Sequence, residues 1–152
     1  MNKGDKAPEF ELKGIDKNGE EKDFKLSDFL GKNLVLYFYP KDDTPTCTIE
    51  ANDFNDDLAH LADSITVVGV SRDDLDSHKK FKDKFGLDFI LLSDSDSAVH
   101  KMYGAIDDSN PEHEIVTRKT FLIDKDGNIR REWDKVAVDG HVEEILKELM
   151  LM

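Results

Sequence analysis

The chain has 152 residues, a formal net charge of -13 and a single cysteine. The negative balance argues against a nucleic-acid partner, which needs a basic face, and against an anionic membrane surface. One cysteine cannot form an internal disulfide framework, and the length suits one domain over residues 1–152 with a core that needs no staples. The opening "MNKGDKAPEF" has no apolar leader segment, and the longest apolar run, "LVLYFY" from Leu34 to Tyr39, is far too short to span a bilayer. A soluble, cytoplasmic protein is expected.

The chain alternates strand-like and helix-like segments, as an α/β fold does. "FELKGIDKNGEEKDF" reads as an N-terminal hairpin turning at "DKNG" (Asp16 to Gly19), and Ser27 is the candidate cap of a short helical turn. "NLVLYFY" reads as a central strand, apolar on both faces. Ala51, Phe54, Leu58 and Leu61 recur at helical spacing and predict an amphipathic helix. "ITVVGVS" (Ile65 to Ser71) is a second buried strand. Leu75, His78, Phe81 and Phe85 mark a second helix, with Gly86 where a C-terminal cap glycine belongs. "FILLSD" (Phe89 to Asp94) predicts a short strand and "AVHKMYG" (Ala98 to Gly104) a short helix. "DDSNPEHE" (Asp107 to Glu114) is the most loop-like stretch. "TRKTFLID" and "NIRREW" predict a hairpin across "KDGN", and Val142, Ile145, Leu146 and Leu149 a closing helix with Asp139 as candidate cap. Buried parallel strands followed by a late antiparallel hairpin imply a mixed sheet with helices on both faces.

The chemistry centres on "YPKDDTPTCTIEA", residues 39–51, which holds the only cysteine. Here a strand ends, Thr44 stands at a helix N-cap and Pro45 at the first helical position, where its missing N–H costs nothing. Cys47 then falls in the first turn, where unpaired N–H groups and the helix dipole favour a thiolate. A free thiol is only a few per cent ionised at neutral pH, and two units of depression need about 2.7 kcal/mol. A helix terminus supplies about 0.3–1 kcal/mol, or about 2 when partly buried. A cation must add the rest, and Asp42 and Asp43 oppose it if close. Arg118, at the start of "RKTFLID", is preferred over Lys41, which lies on a flexible loop. Taken alone, a lone intracellular cysteine reads as an inert packing residue. The strand–loop–helix setting shifts the reading to a nucleophile.

Pro40, Thr44 and Cys47 spell P-x-x-x-T-x-x-C. This resembles the active-site motif of peroxiredoxins, and "YFYPKDDTPTCTIEA", "GDKAPEFEL", "GVSRDDLDSHKKFKDKFGL", "LLSD", "RKTFLIDKDG" and "VDGHVEEIL" are similar to the bacterioferritin-comigratory-protein (PrxQ) branch. The resemblance implies a thioredoxin-like fold and a thiol-dependent peroxidase with no cofactor. It implies that Cys47 is the peroxidatic cysteine, that Thr44 and the Cys47 amide bind peroxide, and that Pro40 shields the pocket. It further implies that Arg118 stabilises thiolate and transition state and that Glu50 orients the arginine. Many members of this branch carry a resolving cysteine five residues after the first; here that position is Asn52. The expected enzyme is therefore of one-cysteine type, reducing hydrogen peroxide and organic hydroperoxides and recycled by an external thiol (thioredoxin, glutaredoxin or glutathione). The resemblance tilts toward a monomer.

The five histidines, His60, His78, His100, His113 and His141, are scattered with no metal-ligand spacing, and exposed or cap-region positions are expected for them. Trp133 reads as a packing residue. Two other readings remain: a redox-inert binding or holdase module on the same fold, and a thiol transferase. The second is weakened by the absence of a Cys-x-x-Cys pair.

Overall fold

The computed structural model describes the chain from Met1 to Met152 apart from residues 62, 108, 110, 111 and 113 and the side chain of His60. Half of the "DDSNPEHE" stretch, His113 included, therefore lies outside the described residues. The hairpin forms from β1 (Glu11–Ile15) and β2 (Glu21–Lys25), paired antiparallel. Asp16 fastens its turn by accepting from the N–H groups of Asn18 and Glu20. A 3₁₀ turn follows over Leu26–Phe29. Its cap differs from expectation: Lys25 is the N-cap and its N–H donates to the Asp28 carboxylate at 2.8 Å, which leaves Ser27 inside the turn.

The main unit is β3 (Asn33–Phe38), α1 (Pro45–Asp57), β4 (Ile65–Ser71), α2 (Leu75–Phe85) and β5 (Ile90–Ser93), with β3, β4 and β5 parallel. α3 (Ala98–Met102) is next, then two-residue strands β6 (Ile106–Asp107) and β7 (Ile115–Val116), which the sequence did not betray. β8 (Lys119–Ile123) and β9 (Ile129–Trp133) form the late hairpin, and α4 (His141–Met150) closes the chain. Seven strands make one mixed sheet in the order β2-β1-β5-β4-β3-β8-β9. Gly86 caps α2 in the left-handed conformation, as expected. α4 starts from Gly140, also left-handed, so Asp139 is not its cap.

Side chains along β3 alternate between two cores, because successive residues of a strand point to opposite faces. Leu34, Leu36 and Phe38 pack with Val99 of α3, Tyr103 and Phe121. Val35, Tyr37 and Tyr39 pack with Cys47 and Phe54 of α1, Phe81 of α2 and Val142 and Ile145 of α4. Helices thus cover both faces. Gly69 of β4 is required by this packing, since a Cβ there would sit 2.9 Å from the Tyr37 ring. Among the described residues no helix is long and apolar enough to cross a membrane.

Candidate active site

The buried strand β3 runs out at Phe38, and the six residues from Tyr39 to Thr44 carry the chain to α1. Thr44 has the extended conformation of an N-cap and Pro45 occupies the first helical position. The cap is one of backbone only. The Thr44 hydroxyl donates to the Lys41 carbonyl at 2.9 Å and bonds no helix N–H. The first helical bond is Thr48 N–H to the Thr44 carbonyl, so the amides of Thr46 and Cys47 precede the ladder. Cys47 sits in this first turn, unpaired with any other sulfur and 2% exposed.

Arg118 reaches the sulfur from the residue just before β8. Its Nη2 donates to Cys47 Sγ at 3.3 Å and its Nη1 to Glu50 Oε1 at 2.6 Å. Glu50 lies three residues past Cys47 on the same helix face, so one guanidinium bridges both. Strand pairing brings the arginine across 71 residues of chain: β8 lies antiparallel to β3, with Lys119 opposite Phe38. The guanidinium is 16% exposed and the Glu50 carboxyl 2%. Burial works against the charge on Arg118, but Glu50 and the sulfur outweigh it and hold the guanidinium above its usual range. Burial pushes Glu50 up to about 7, against the pull of Arg118. A permanently charged guanidinium thus faces a carboxyl close to taking up a proton.

Two polar atoms here have no hydrogen-bond partner among the described residues, Glu50 Oε2 and Tyr37 Oη. Tyr37 stacks on Phe54 at 4.4 Å, and burial, then Glu50, Asp42 and the sulfur, hold its phenol well above the usual range.

The two aspartates of the loop are engaged elsewhere. The Asp42 carboxylate accepts from Tyr39 Oη, Ser77 Oγ and His78 Nδ1 at 2.6, 2.8 and 2.6 Å, and Asp43 pairs with Lys84 Nζ at 2.8 Å. Their opposition to an anionic sulfur is correspondingly blunted. Of the residues read from the sequence, Cys47, Glu50 and Arg118 come together. Thr44 is near by chain position, with its hydroxyl turned to Lys41, and Pro40 is exposed at the bend that opens the loop. His78 and His100 correct the sequence reading, while His141 does stand in a cap region, at the first position of α4. His78, His100 and His141 are buried, because each finds a partner: Asp42 for His78, Asp94 for His100 and the Thr120 hydroxyl for His141. The signal for His78 was its place on the apolar stripe of α2. Trp133 packs as expected, with its indole N–H on Glu144 and Arg131 over its ring.

Residues 3–132 match the AhpC/TSA family. Peroxiredoxin Bcp of Bacillus subtilis is 46% identical over 153 residues, covering 96% of this chain and 93% of the relative. The crystal structure of PrxQ from Xylella fastidiosa superposes with a TM-score of 0.87 at 38% identity, covering 99% of this chain and 96% of the other. Peroxidoxin BcpB of Mycobacterium tuberculosis superposes with a TM-score of 0.85 at 32% identity, covering 100% and 98%. With the cysteine, its arginine and the thioredoxin-like frame all in place, the chain belongs to the AhpC/TSA family and, within it, to the Bcp/PrxQ peroxiredoxins, which are thiol-dependent peroxidases.

Proposed function

We propose that this protein is a one-cysteine peroxiredoxin in which Cys47 attacks the peroxide. The observation that carries the reading is the 3.3 Å contact between Arg118 and the sulfur at the mouth of α1. The guanidinium fork can donate to the sulfur and to an oxygen bound beside it, and Glu50 holds the fork in register with the sulfur. The thiolate attacks one peroxide oxygen; an S–O bond forms as the O–O bond breaks. With one proton taken up, the products are a Cys47 sulfenic acid and water or an alcohol. Sulfur loses two electrons and the O–O bond gains them. Arg118 and the Cys47 amide donate to the oxygens as negative charge moves onto the leaving group. Thr44 already spends its proton on Lys41, so its hydroxyl accepts from the peroxide O–H. Pro40 borders the approach.

The chain has no second cysteine, and Asn52 stands at the family's resolving position. An external thiol therefore condenses with the sulfenic acid, releasing water, and a second thiol frees Cys47. Glutathione, glutaredoxin and thioredoxin are the candidate reductants, hydrogen peroxide and organic hydroperoxides the candidate substrates. We place the protein as a monomer in the cytoplasm.

The 2% exposure of Cys47 favours one rival, a redox-inert packing cysteine in a binding or holdase module. Intact-mass analysis after peroxide, with dimedone as trap, separates the two. Rapid stoichiometric labelling at Cys47, lost in Cys47→Ser, is expected. Labelling as slow as that of a free cysteine would overturn the proposal. Turnover with each reductant in separate assays identifies the recycling thiol.

A further inference from the structure

We propose that the buried Asp42–His78 pair is a positioning device for the peroxide-binding loop, setting where the Thr44 hydroxyl stands relative to the sulfur. This rests on the reading that Cys47 is the peroxidatic residue.

The loop between β3 and α1 is irregular, yet it is held by fixed groups on both sides. Asp42 is its buried anchor. Its carboxylate takes three donors, Tyr39 Oη on one oxygen and Ser77 Oγ and His78 Nδ1 on the other. Its N–H donates to Asp73 Oδ2 at 2.8 Å, and that same oxygen accepts from Ser71 Oγ at 2.7 Å. The loop is thereby tied to the end of β4 and to the first turn of α2. His78 is fully buried, and its Nε2 lies 2.8 Å from the Leu92 carbonyl of β5. A carbonyl only accepts, so Nε2 is the donor there, and Nδ1 is engaged by Asp42. Neither ring nitrogen has spare capacity, and the ring cannot turn without breaking a buried bond. His100 differs, for its Nε2 has no partner among the described residues.

The anchor acts on neighbouring positions. Asp42 directly follows Lys41, whose carbonyl holds the Thr44 hydroxyl, and directly precedes Asp43, which adopts a left-handed φ of 55°. Aspartate tolerates that region better than most residues, and here it lies between the anchored Asp42 and the start of α1, with its carboxylate on Lys84. The same two peptide units therefore fix the Thr44 hydroxyl and the entry of α1. The sulfur has its own support in Arg118 and Glu50, which do not touch this network. The device should thus govern how peroxide is received more than how reactive the sulfur is.

Two reagents on the full chain separate these. Peroxide oxidation uses the loop's hydrogen-bonding groups; iodoacetamide alkylation reports on the sulfur and its access alone. His78→Leu and Asp42→Ala should slow oxidation of Cys47 by hydrogen peroxide about tenfold or more, while alkylation stays within about threefold of wild type. Asp42→Asn should restore peroxide rates to within about threefold, since its amide oxygen accepts from Tyr39 and its nitrogen donates to His78 Nδ1. Ser77→Ala removes one donor and serves if the larger changes prevent folding; it should slow peroxide oxidation roughly threefold with alkylation unchanged. Peroxide rates equal to wild type in these variants would overturn the proposal, and so would peroxide and alkylation rates falling together. A wild-type Cys47 that peroxide does not oxidise rapidly would sink the peroxidase reading itself, whereas a reactive wild type with unaffected variants would sink the clamp alone.

Discussion

Two buried clusters of polar side chains flank the loop from Tyr39 to Thr44, one around Asp42 and one around Cys47. In the first, the carboxylate meets three donors and the histidine two acceptors. In the second, Glu50 Oε2 and Tyr37 Oη have no hydrogen-bond partner among the described residues, while Arg118 spans the sulfur and the carboxyl. A saturated network resists change, because any movement leaves a buried group unsatisfied. A cluster with spare capacity can receive an oxygen or a proton during a reaction. Tyr37 and Tyr39 make the contrast sharp: two residues apart, packed in the same core and stacked at 5.3 Å, one phenol is bonded to Asp42 and the other has no partner among the described residues.

The largest break in the reactive cluster should come from Arg118→Ala. Peroxide oxidation of Cys47 should slow about tenfold or more, as for loss of an oxyanion donor, measured by stopped-flow. Arg118→Lys should recover only part of this, since one ammonium does not bridge sulfur and carboxyl as a fork does.

Glu50→Gln should change how stability depends on pH. With its carboxyl pushed up to about 7 in the fold from an ordinary 4.5, the folded chain holds a proton that the unfolded chain releases. Stability from this group is therefore full below about 4.5 and falls as pH rises towards about 7, by about 3 kcal/mol in all. Urea unfolding at several pH values should show this loss in wild type and not in Glu50→Gln. An identical slope in both would mean that Glu50 does not titrate in that window.

The paired tyrosines sharpen the comparison. Tyr39→Phe removes a bond to a buried carboxylate and should cost about 1.5–3 kcal/mol. Tyr37→Phe removes a hydroxyl with no partner among the described residues and should be near neutral or stabilising, within about 1 kcal/mol. Equal losses in urea unfolding would show that Tyr37 does make a bond in solution. Smallest of all, Lys84→Ala breaks an exposed pair with Asp43 and should cost under about 1 kcal/mol, vanishing at high salt.

Alternation of apolar runs and helical stripes made the sheet and its helices legible, and the cysteine motif led to Arg118 and Glu50 across a long loop of chain. Caps were harder. Ser27 and Asp139 have the right side chains, yet Asp28 takes the Lys25 N–H and Gly140 supplies the backbone turn. Thr44 was placed correctly, but its hydroxyl found Lys41 first. His78 and His100 were misread because burial depends on the partner each finds in the fold: Asp42 lies 36 residues before His78 and Asp94 only six before His100. β6 and β7 are two residues each, too short to leave a period in the sequence.

The helix α1 runs unbroken from Pro45 to Asp57, through Cys47 and Asn52. Five residues advance about 7.5 Å along a helix, more than the roughly 7 Å between α-carbons that a disulfide tolerates. A cysteine at 52 would have to unwind α1 at every turnover. Asparagine imposes no such excursion, so on the proposed one-cysteine cycle melting curves of the reduced and sulfenic forms should nearly coincide.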